Sequence, residues 1–290
     1  MDYRIAIIGC GRAGGNFAVH LIKKNLSPIG LWDRDEKKAE SLSRQTGIPL
    51  LPPEAMAEKA NILLLCVPDD LIRKSCEALA EQGIFKKGQR LFHISGSQDA
   101  SLLAKAHEAG ASIASLHPLQ SFAAEISEEN PFKGILMTVE GMPEAVETGL
   151  FIAKTLEARG MPIEASAKVL YHAAAVVASN YLVGLMDFAF DLLSASGIKT
   201  DDPMAFLSPL VEGTLANLRK MSPEKALTGP IARGDLSTLK GHMEAILEKK
   251  PERSALYRAL GEATLALAEK SGNLDEKRIQ EMKRLFAEKP

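Results

Sequence analysis

The chain opens with a short apolar run that leads directly into three glycines spaced as G-x-G-x-x-G. The run covers residues 5–8, and a helical pattern follows the glycines over residues 13–23. In a strand–loop–helix unit of this kind, the glycines permit a tight turn, close approach of backbone to a pyrophosphate, and packing of helix on strand. The free N–H groups of the helix then face the phosphates. The sequence therefore predicts a dinucleotide site formed by Gly9, Gly11, Arg12, Ala13 and Gly14.

Two charged residues at the end of the second predicted strand bear on which dinucleotide binds. Asp33 lies 19 residues after Gly14, where an acid bonds the ribose 2′-hydroxyl of NAD. Arg34 follows at once, and its guanidinium suits the 2′-phosphate of NADP. If Asp33 serves another purpose, Arg34 decides the preference. We predict NADP as the cofactor and leave NAD open.

Short β-type runs alternate with amphipathic helical stretches through the first half of the chain. Strands are predicted at residues 4–8, 29–33, 62–67, 90–94, 112–116 and 135–139. Such alternation is typical of a parallel sheet with helices on both faces. The unbroken apolar run at 62–67 fits a strand that is buried on both sides.

The pattern changes after about residue 160. Strand signals stop, and long helical patterns cover residues 167–196, 203–221, 237–248, 254–271 and 275–288. A length of 290 residues also favours two domains. We predict an α/β domain with a doubly wound parallel sheet over residues 1–160, followed by an all-α helical domain over 161–290.

Candidate binding residues lie at the ends of three of the predicted strands, at the carboxyl edge where ligands bind to such sheets. Val67 and Pro68 end the third strand, and Ser95 follows the next one. These three are predicted to contact the cofactor. His117 ends the fifth strand and is predicted to contact substrate and to act in catalysis. A single histidine in a strand is often only a buried hydrogen-bonding group, but two polar strand ends at one edge favour a site.

The first long helix of the second half carries polar residues on an apolar background. Lys168 and His172 are one turn apart, and Ser179 and Asn180 follow. Burying such a stripe is costly without partners. We predict catalytic roles for Lys168, His172 and Asn180, with Lys168 or His172 as proton donor, and a substrate contact for Ser179. The structural alternative is a snorkelling lysine beside a hydrogen-bonded buried histidine.

A loop at residues 227–235 supplies one further candidate. The planar donor fork of Arg233 suits a substrate carboxylate. Asp235, two residues later, is predicted to cap the next helix instead.

Charge and cysteine content exclude several other functions. The formal charge is −2, with 35 basic and 37 acidic residues intermixed along the chain, so a nucleic-acid surface is not expected. The three cysteines form neither a disulfide set nor a metal-ligand cluster, and no metal is predicted. We find no signal-peptide pattern, and uninterrupted apolar runs are too short to cross a bilayer. We therefore expect a soluble, cytoplasmic protein without a membrane partner.

Taken together, these motifs resemble the superfamily that joins a Rossmann domain to a 6-phosphogluconate-dehydrogenase-like helical domain. Its members include ketopantoate reductase, pyrroline-5-carboxylate reductase and prephenate dehydrogenase. More narrowly, the chain resembles Rossmann-like proteins whose helical half is a domain of unknown function. The residues that carry this resemblance are 9–14, 67–69, 93–96, 117–122, 171–180 and 229–235.

The resemblance implies a Rossmann-type fold and an NAD(P)H-dependent oxidoreductase. Its implied reaction is hydride reduction of a small carboxylate-bearing carbonyl compound, such as a ketopantoate-like 2-oxo acid. Lys168 matches a lysine of the ketopantoate reductases, whereas His172 stands where they have an asparagine. The superfamily also implies a homodimer through the helical domain. The alternatives are a cyclic-imine reductase of the pyrroline-5-carboxylate type and a non-catalytic dinucleotide-sensing protein.

Overall fold

A computed structural model describes residues 2–122 and 126–287 of the chain. It divides into two compact units, Met1–Asn180 and Tyr181–Pro290. The first contains every strand of the described chain, and the second is built from helices alone. The predicted division at residue 160 falls close to the end of the sheet at Pro162, and the first unit continues through one further helix.

Seven strands form one sheet in the order β2-β1-β3-β4-β5-β6-β7. All neighbouring pairs are parallel except β5 and β6, which are antiparallel. The strands are β1 Ile5–Ile8, β2 Gly30–Trp32, β3 Ile62–Leu65, β4 Arg90–His93, β5 Ser112–Pro118, β6 Leu136–Gly141 and β7 Arg159–Pro162.

The six predicted strands are all present, and the predicted Rossmann-type doubly wound parallel sheet is confirmed, with one antiparallel pair in it. β6 runs antiparallel to β5, with Leu116 opposite Val139. The seventh strand was not predicted because its four residues, Arg-Gly-Met-Pro, are all exposed and lack the apolar pattern of a buried strand.

Helices cover both faces of this sheet. Those of the first unit are α1 Arg12–Ile22, α2 Glu36–Thr46, α3 Pro53–Lys59, α4 Ile72–Glu81, α5 Ala104–Glu108, α6 Pro143–Thr155 and α7 Lys168–Ala178. α3 and α6 were not predicted from the sequence. Each begins with proline in its first turn, where the missing N–H costs no helical hydrogen bond.

The strands β1 and β3 are buried on both sides, as their unbroken apolar runs predict. Ile5 and Ile7 belong to the apolar layer on one face, whereas Ala6 and Ile8 belong to the layer on the other. This alternation follows from the two-residue period of a strand. A sheet enclosed in this way holds the loops at its carboxyl edge in fixed positions.

The second unit consists of seven helices in the described part of the chain. They are α8 Asn180–Ala195, α9 Pro203–Leu218, α10 Pro223–Ala226, α11 Pro230–Arg233, α12 Leu236–Lys249, α13 Ser254–Ser271 and α14 Glu276–Ala287. Its buried centre is formed by Leu239, Leu265, Met282 and Phe286. Asp235 caps α12 by accepting the N–H of Thr238, as the sequence predicts.

One helical stretch is long and apolar enough to cross a membrane by length and composition. It covers Ala165–Ala195, has a mean hydropathy of 1.5, and buries only 6% of its most apolar window. The sequence-based estimate considered uninterrupted apolar runs only, and this helix joins several such runs across single polar residues. Length and composition are weak evidence for a membrane segment, since the mostly buried core helix of a soluble protein passes the same test.

Candidate functional site

The loop between β1 and α1 needs its glycines for two different reasons. Gly9 has a φ of 102°, and a Cβ there would lie 2.3 Å from the carbonyl oxygen of Cys66. A Cβ on Gly14 would lie 1.9 Å from the carbonyl oxygen of Gly9. At Gly11, by contrast, φ is −74° and a Cβ would meet nothing within 4 Å of the described chain. No contact within the described chain requires glycine at this position, and the absent side chain leaves room for a ligand.

The start of α1 fits the pyrophosphate of a dinucleotide. No side chain caps the helix at Gly11, and its first turn carries no acidic residue. The N–H groups of a first helical turn have no partner inside the helix and attract anions. Arg12 is exposed beside them, and Ala13 is half-buried. The residues present therefore match a phosphate-binding helix start.

Asp33 is bound to backbone rather than left free. Its carboxylate accepts the N–H of Cys10 at 2.6 Å and the N–H of Asp35 at 2.8 Å. The first bond ties the end of β2 to the glycine loop. Arg34 is exposed and makes no hydrogen bond or ion pair within residues 2–122 and 126–287.

The ends of β3 and β4 are joined by a carboxylate. Val67 is half-buried and Pro68 is exposed after β3, and the next residue, Asp69, accepts the hydroxyl of Ser95 at 2.5 Å. Ser95 itself is buried. These residues lie at the same carboxyl edge as the glycine loop, because β1, β3 and β4 are parallel neighbours.

His93, the last residue of β4, has a structural role. The N–H of Ser95 donates to Nδ1 at 3.1 Å, so the proton resides on Nε2, which donates to the carbonyl of Asp99 at 3.0 Å. The ring is fully buried. Burial lowers the pKa of His93 to about 4, so the imidazole is neutral at pH 7.

Lys168 is completely buried at the start of α7. Its Nζ donates to the hydroxyl of Ser115 on β5 at 2.5 Å and to the carbonyl of Ser95 at 3.2 Å. Burial lowers the pKa of Lys168, while the nearby carboxyls of Glu140, Asp99 and Asp69 act in the opposite direction. The side chain does not snorkel, and its burial keeps it from direct contact with a substrate.

The side chains of His117, Tyr171 and His172 form a cluster of three rings. His117 packs edge-on against Tyr171 at 5.6 Å between ring centroids, and against His172 at 5.9 Å. The hydroxyl of Tyr171 lies 3.0 Å from Nδ1 of His117. Burial, reinforced by the charge of Lys168, lowers the pKa of His117 to about 4.

His172 and Thr138, which lies opposite His117 on β6, each hold a buried polar atom without a hydrogen-bond partner among the described residues. In His172 this atom is Nδ1, which is shielded from water. The ring as a whole is only half-buried, and it lies one turn after Lys168 on the same face of α7. A buried ring nitrogen without a partner is costly in a folded protein, and it marks a place where a ligand atom would be held.

The structure brings together only part of the predicted site. Ser95, His117, Lys168 and His172 converge. Ser179 and Asn180 are exposed, and both lie beyond the end of α7 at Ala178. Arg233 is exposed at the end of α11, in the second unit.

Three further residues of the site were not predicted from the sequence: Ser115, Glu140 and Tyr171. Ser115 lies two residues before His117 and therefore on the same face of β5, which is a recognisable signal in an apolar strand. Glu140 is buried on β6 and accepts the N–H of Ala100. No three His, Cys, Asp or Glu side chains come together as a metal site within residues 2–122 and 126–287.

Two family profiles match the chain. Residues 2–118 match the Rossmann-like domain, and residues 135–264 match the domain of unknown function DUF2520. The chain thus joins a Rossmann-like domain to a segment that matches DUF2520. No curated protein matches it significantly.

Solved structures similar to this Rossmann-like protein share its fold along nearly its whole length. A Bacteroides fragilis protein described as an NADP oxidoreductase is 22% identical, with a TM-score of 0.75, and the match covers 91% of this chain and 98% of that one. A Thermotoga maritima protein is 24% identical, with a TM-score of 0.69 and coverage of 92% and 98%. A reductive aminase from Aspergillus terreus, solved with NADPH, is 17% identical, with a TM-score of 0.61 and coverage of 99% and 93%. At these identities the likeness establishes the fold.

The neutral His93 makes stability depend on pH. Its pKa is lower in the folded chain than the ordinary 6.5, so the unfolded chain binds more protons between about pH 4 and 6.5, and stability falls as pH falls through that window. We expect His93→Gln to shrink the difference between the unfolding free energies at pH 7 and pH 5 by about 2 kcal/mol. Urea denaturation at both pH values measures it.

The matched control is His242→Gln, which changes an exposed histidine of the second unit. It should leave the difference between pH 7 and pH 5 at its wild-type value. An unchanged difference in His93→Gln would contradict the neutral, buried imidazole.

Proposed function

We propose that this protein is an NAD(P)H-dependent oxidoreductase that reduces a small carbonyl compound by hydride transfer. One observation carries the proposal: the glycine loop and the Ser95–His117–His172 cluster both lie at the carboxyl edge of the same sheet. In sheets of this type, ligands bind outside the carboxyl ends of the strands. A cofactor cradle and a group of imidazoles are thus available to one bound pair of reactants.

The dinucleotide is held by the residues around Gly11. The first turn of α1 binds the pyrophosphate, and Val67, Pro68 and Ser95 border the part of the cofactor that extends along the sheet edge. A bound reduced nicotinamide supplies the hydride. The protein supplies position, charge and a proton.

His117 and His172 are the groups that reach the substrate, since both keep part of their surface exposed. Lys168 acts from behind them as a buried positive charge. It holds Ser95 and Ser115 in place and favours negative charge that develops on a substrate oxygen during hydride transfer. Burial of Lys168 favours His172 over Lys168 as proton donor.

NADP is the proposed cofactor. Asp33 is already bound to two backbone N–H groups, which makes it a poor partner for a ribose hydroxyl, while Arg34 is unpaired and exposed. A free guanidinium beside the adenosine ribose pairs with a 2′-phosphate. Structures of the same fold are named with NADP or NADPH in some cases and with NAD in others, so they support a nicotinamide dinucleotide, and the choice of NADP rests on Arg34.

The proposed substrate is a carboxylate-bearing carbonyl compound of the 2-oxo acid type. The sequence-based roles of Arg233 and Ser179 as substrate contacts and of Asn180 in catalysis stay proposals, and Ser179 and Asn180 are exposed and lie outside the Ser95–His117–His172 cluster. A cyclic imine is the second candidate, because several structures of the same fold are imine reductases or reductive aminases.

A second copy of the chain is the proposed partner, bound through the helical unit. Large apolar side chains on α8 and α9 are strongly exposed: Tyr181 65%, Val183 70%, Phe206 58% and Leu210 71%. A soluble monomer rarely leaves so much apolar surface in contact with water.

The three cysteines are all free thiols, in keeping with the proposed cytoplasmic location.

The purified protein should oxidise NADPH in the presence of at least one member of a panel of 2-oxo acids and cyclic imines, with absorbance at 340 nm as the readout. His172→Asn should lower kcat by about 100-fold, the usual loss when a general acid is removed. Tight NADPH binding without oxidation across the panel would refute the reductase and favour a dinucleotide-sensing protein.

Arg34→Ala should weaken NADPH binding by about 10-fold, the equivalent of one charge-assisted pair, and leave NADH binding within twofold of wild type. Isothermal titration calorimetry measures both. Arg44→Ala is the matched control, because it removes an arginine of the same unit that pairs with Glu40 on α2. Equal losses for NADPH and NADH in Arg34→Ala would count against a contact with the 2′-phosphate.

The wild-type protein should sediment as a dimer in detergent-free buffer, and the double variant Phe206→Asp, Leu210→Asp should shift it to monomer, because each aspartate places a charge on the apolar surface. Analytical ultracentrifugation decides between them. Lys240→Asp, at an exposed position on α12, is the control. Recovery of the wild-type chain with anionic lipid vesicles during flotation, and a monomer without them, would refute the dimer.

A further inference from the structure

Gly96 follows Ser95 in the loop after β4, and neighbouring side chains leave no room for a Cβ at this position. Its backbone is not in the left-handed region, so its conformation does not require glycine. A Cβ at this position would lie 2.7 Å from Nε2 of His117 and 2.7 Å from Nδ1 of His172. Both contacts are closer than real Cβ atoms approach other atoms. Glycine here allows two imidazole nitrogens to face each other across the loop.

The separation of these two nitrogens has an upper limit. Each lies 2.7 Å from one common point, so they are no further apart than twice that distance. They do not hydrogen-bond each other, because Nδ1 of His172 has no partner among the described residues. Within that separation, a single oxygen or nitrogen atom can lie at hydrogen-bond distance from both.

Tyr171 lies beside one ring nitrogen of His117. Its hydroxyl is 3.0 Å from Nδ1 of His117, and either atom can be the donor. With the phenol as donor, the proton of the neutral imidazole resides on Nε2, the nitrogen nearest Gly96. His117 is then a hydrogen-bond donor on the Gly96 side of its ring.

Lys168 fixes the opposite side of the same loop. Its ammonium holds the carbonyl of Ser95, which belongs to the peptide bond between Ser95 and Gly96. Because His172 lies one turn after Lys168 on α7, that bond also sets the distance between the His172 ring and Gly96.

We propose that His117 Nε2 and His172 Nδ1 form a two-imidazole clamp that holds the single reacting oxygen or imine nitrogen of the substrate, with Gly96 keeping the clamp open and Tyr171 fixing its tautomer. The clamp rests on the proposed reductase function. As the substrate carbon gains a hydride and the C=O or C=N π electrons move to the held atom, that atom takes a proton from the imidazolium of His172. His117 keeps its proton and only donates a hydrogen bond. His172 regains a proton from water after the product leaves.

Tyr171→Phe tests the positioning role without any need for turnover. Long-range ¹⁵N–¹H NMR of histidine-labelled protein should show His117 protonated on Nε2 in the wild type, and a mixture of both tautomers in Tyr171→Phe. Tyr257→Phe is a matched control, because the Tyr257 hydroxyl lies 2.8 Å from Nδ1 of His242 in a similar edge-on ring pair in the second unit. It should leave the His117 signals unchanged. Protonation of His117 on Nδ1 in the wild type would overturn the clamp.

Gly96→Ala tests the space between the rings. The added methyl should shift the NMR signals of both His117 and His172 and lower kcat/KM by about 100-fold, with NADPH affinity within twofold of wild type. Gly241→Ala, in α12, places a methyl where nothing lies within 4 Å in the described chain and should change neither. Unshifted histidine signals, or turnover within threefold of wild type in Gly96→Ala, would refute the clamp.

The two readouts separate the clamp from the proposed function. A wild-type protein that binds NADPH but reduces no member of the panel refutes the reductase, and the histidine signals still decide the geometry. An active enzyme whose His117 signals do not respond to Tyr171→Phe retains the reductase function and refutes the clamp.

Discussion

The ammonium group of Lys168 joins the first helix after the sheet to the ends of two strands. It donates to the Ser115 hydroxyl on β5 and to the Ser95 carbonyl after β4, and no part of its side chain reaches solvent. A buried charge is tolerated only where its donors are satisfied and opposite charges lie nearby. The carboxyls of Glu140, Asp99 and Asp69 supply the second condition. Because α7 begins at this lysine, the position of every later residue on its inner face depends on these two bonds.

The glycine loop could be predicted from the sequence because its requirements are local. Gly9 and Gly14 are demanded by backbone contacts within the strand–loop–helix unit, and Gly11 by the room left for a ligand. The ends of β4 and β5 could be placed at the same edge for a similar reason, since strand order and direction follow from alternating elements. The burial of Lys168 could not be predicted from the sequence, because its hydrogen-bond partners lie 53 and 73 residues away along the chain. Periodicity identifies a polar stripe on a helix but carries no information on what faces it.

Two features of the sheet, the antiparallel β5–β6 pair and the exposed strand β7, also could not be predicted from local sequence patterns. A parallel connection between β5 and β6 needs a crossover segment, normally a helix, and the described residues between these strands contain none. The antiparallel pairing was therefore implicit in the sequence, although strand propensity alone does not express it. The exposed strand β7 is different, because nothing in Arg159–Pro162 distinguishes a strand at the edge of a sheet from a loop. Its pairing depends on β6 beside it, with which it aligns in parallel.

The placement of charge at the site divides the work among its three nitrogen-bearing side chains. Lys168 provides a positive charge that is fixed by two hydrogen bonds. A second positive charge on His117 would repel it, and both this repulsion and burial lower the pKa of His117. His117 is therefore suited to donating a hydrogen bond and poorly suited to exchanging a proton at neutral pH. In the proposed mechanism the proton comes from His172, which keeps part of its ring in contact with water while its Nδ1 has no partner among the described residues. The proposed mechanism thus assigns charge, orientation and proton supply to three residues that lie on two successive turns of one helix and at one strand end.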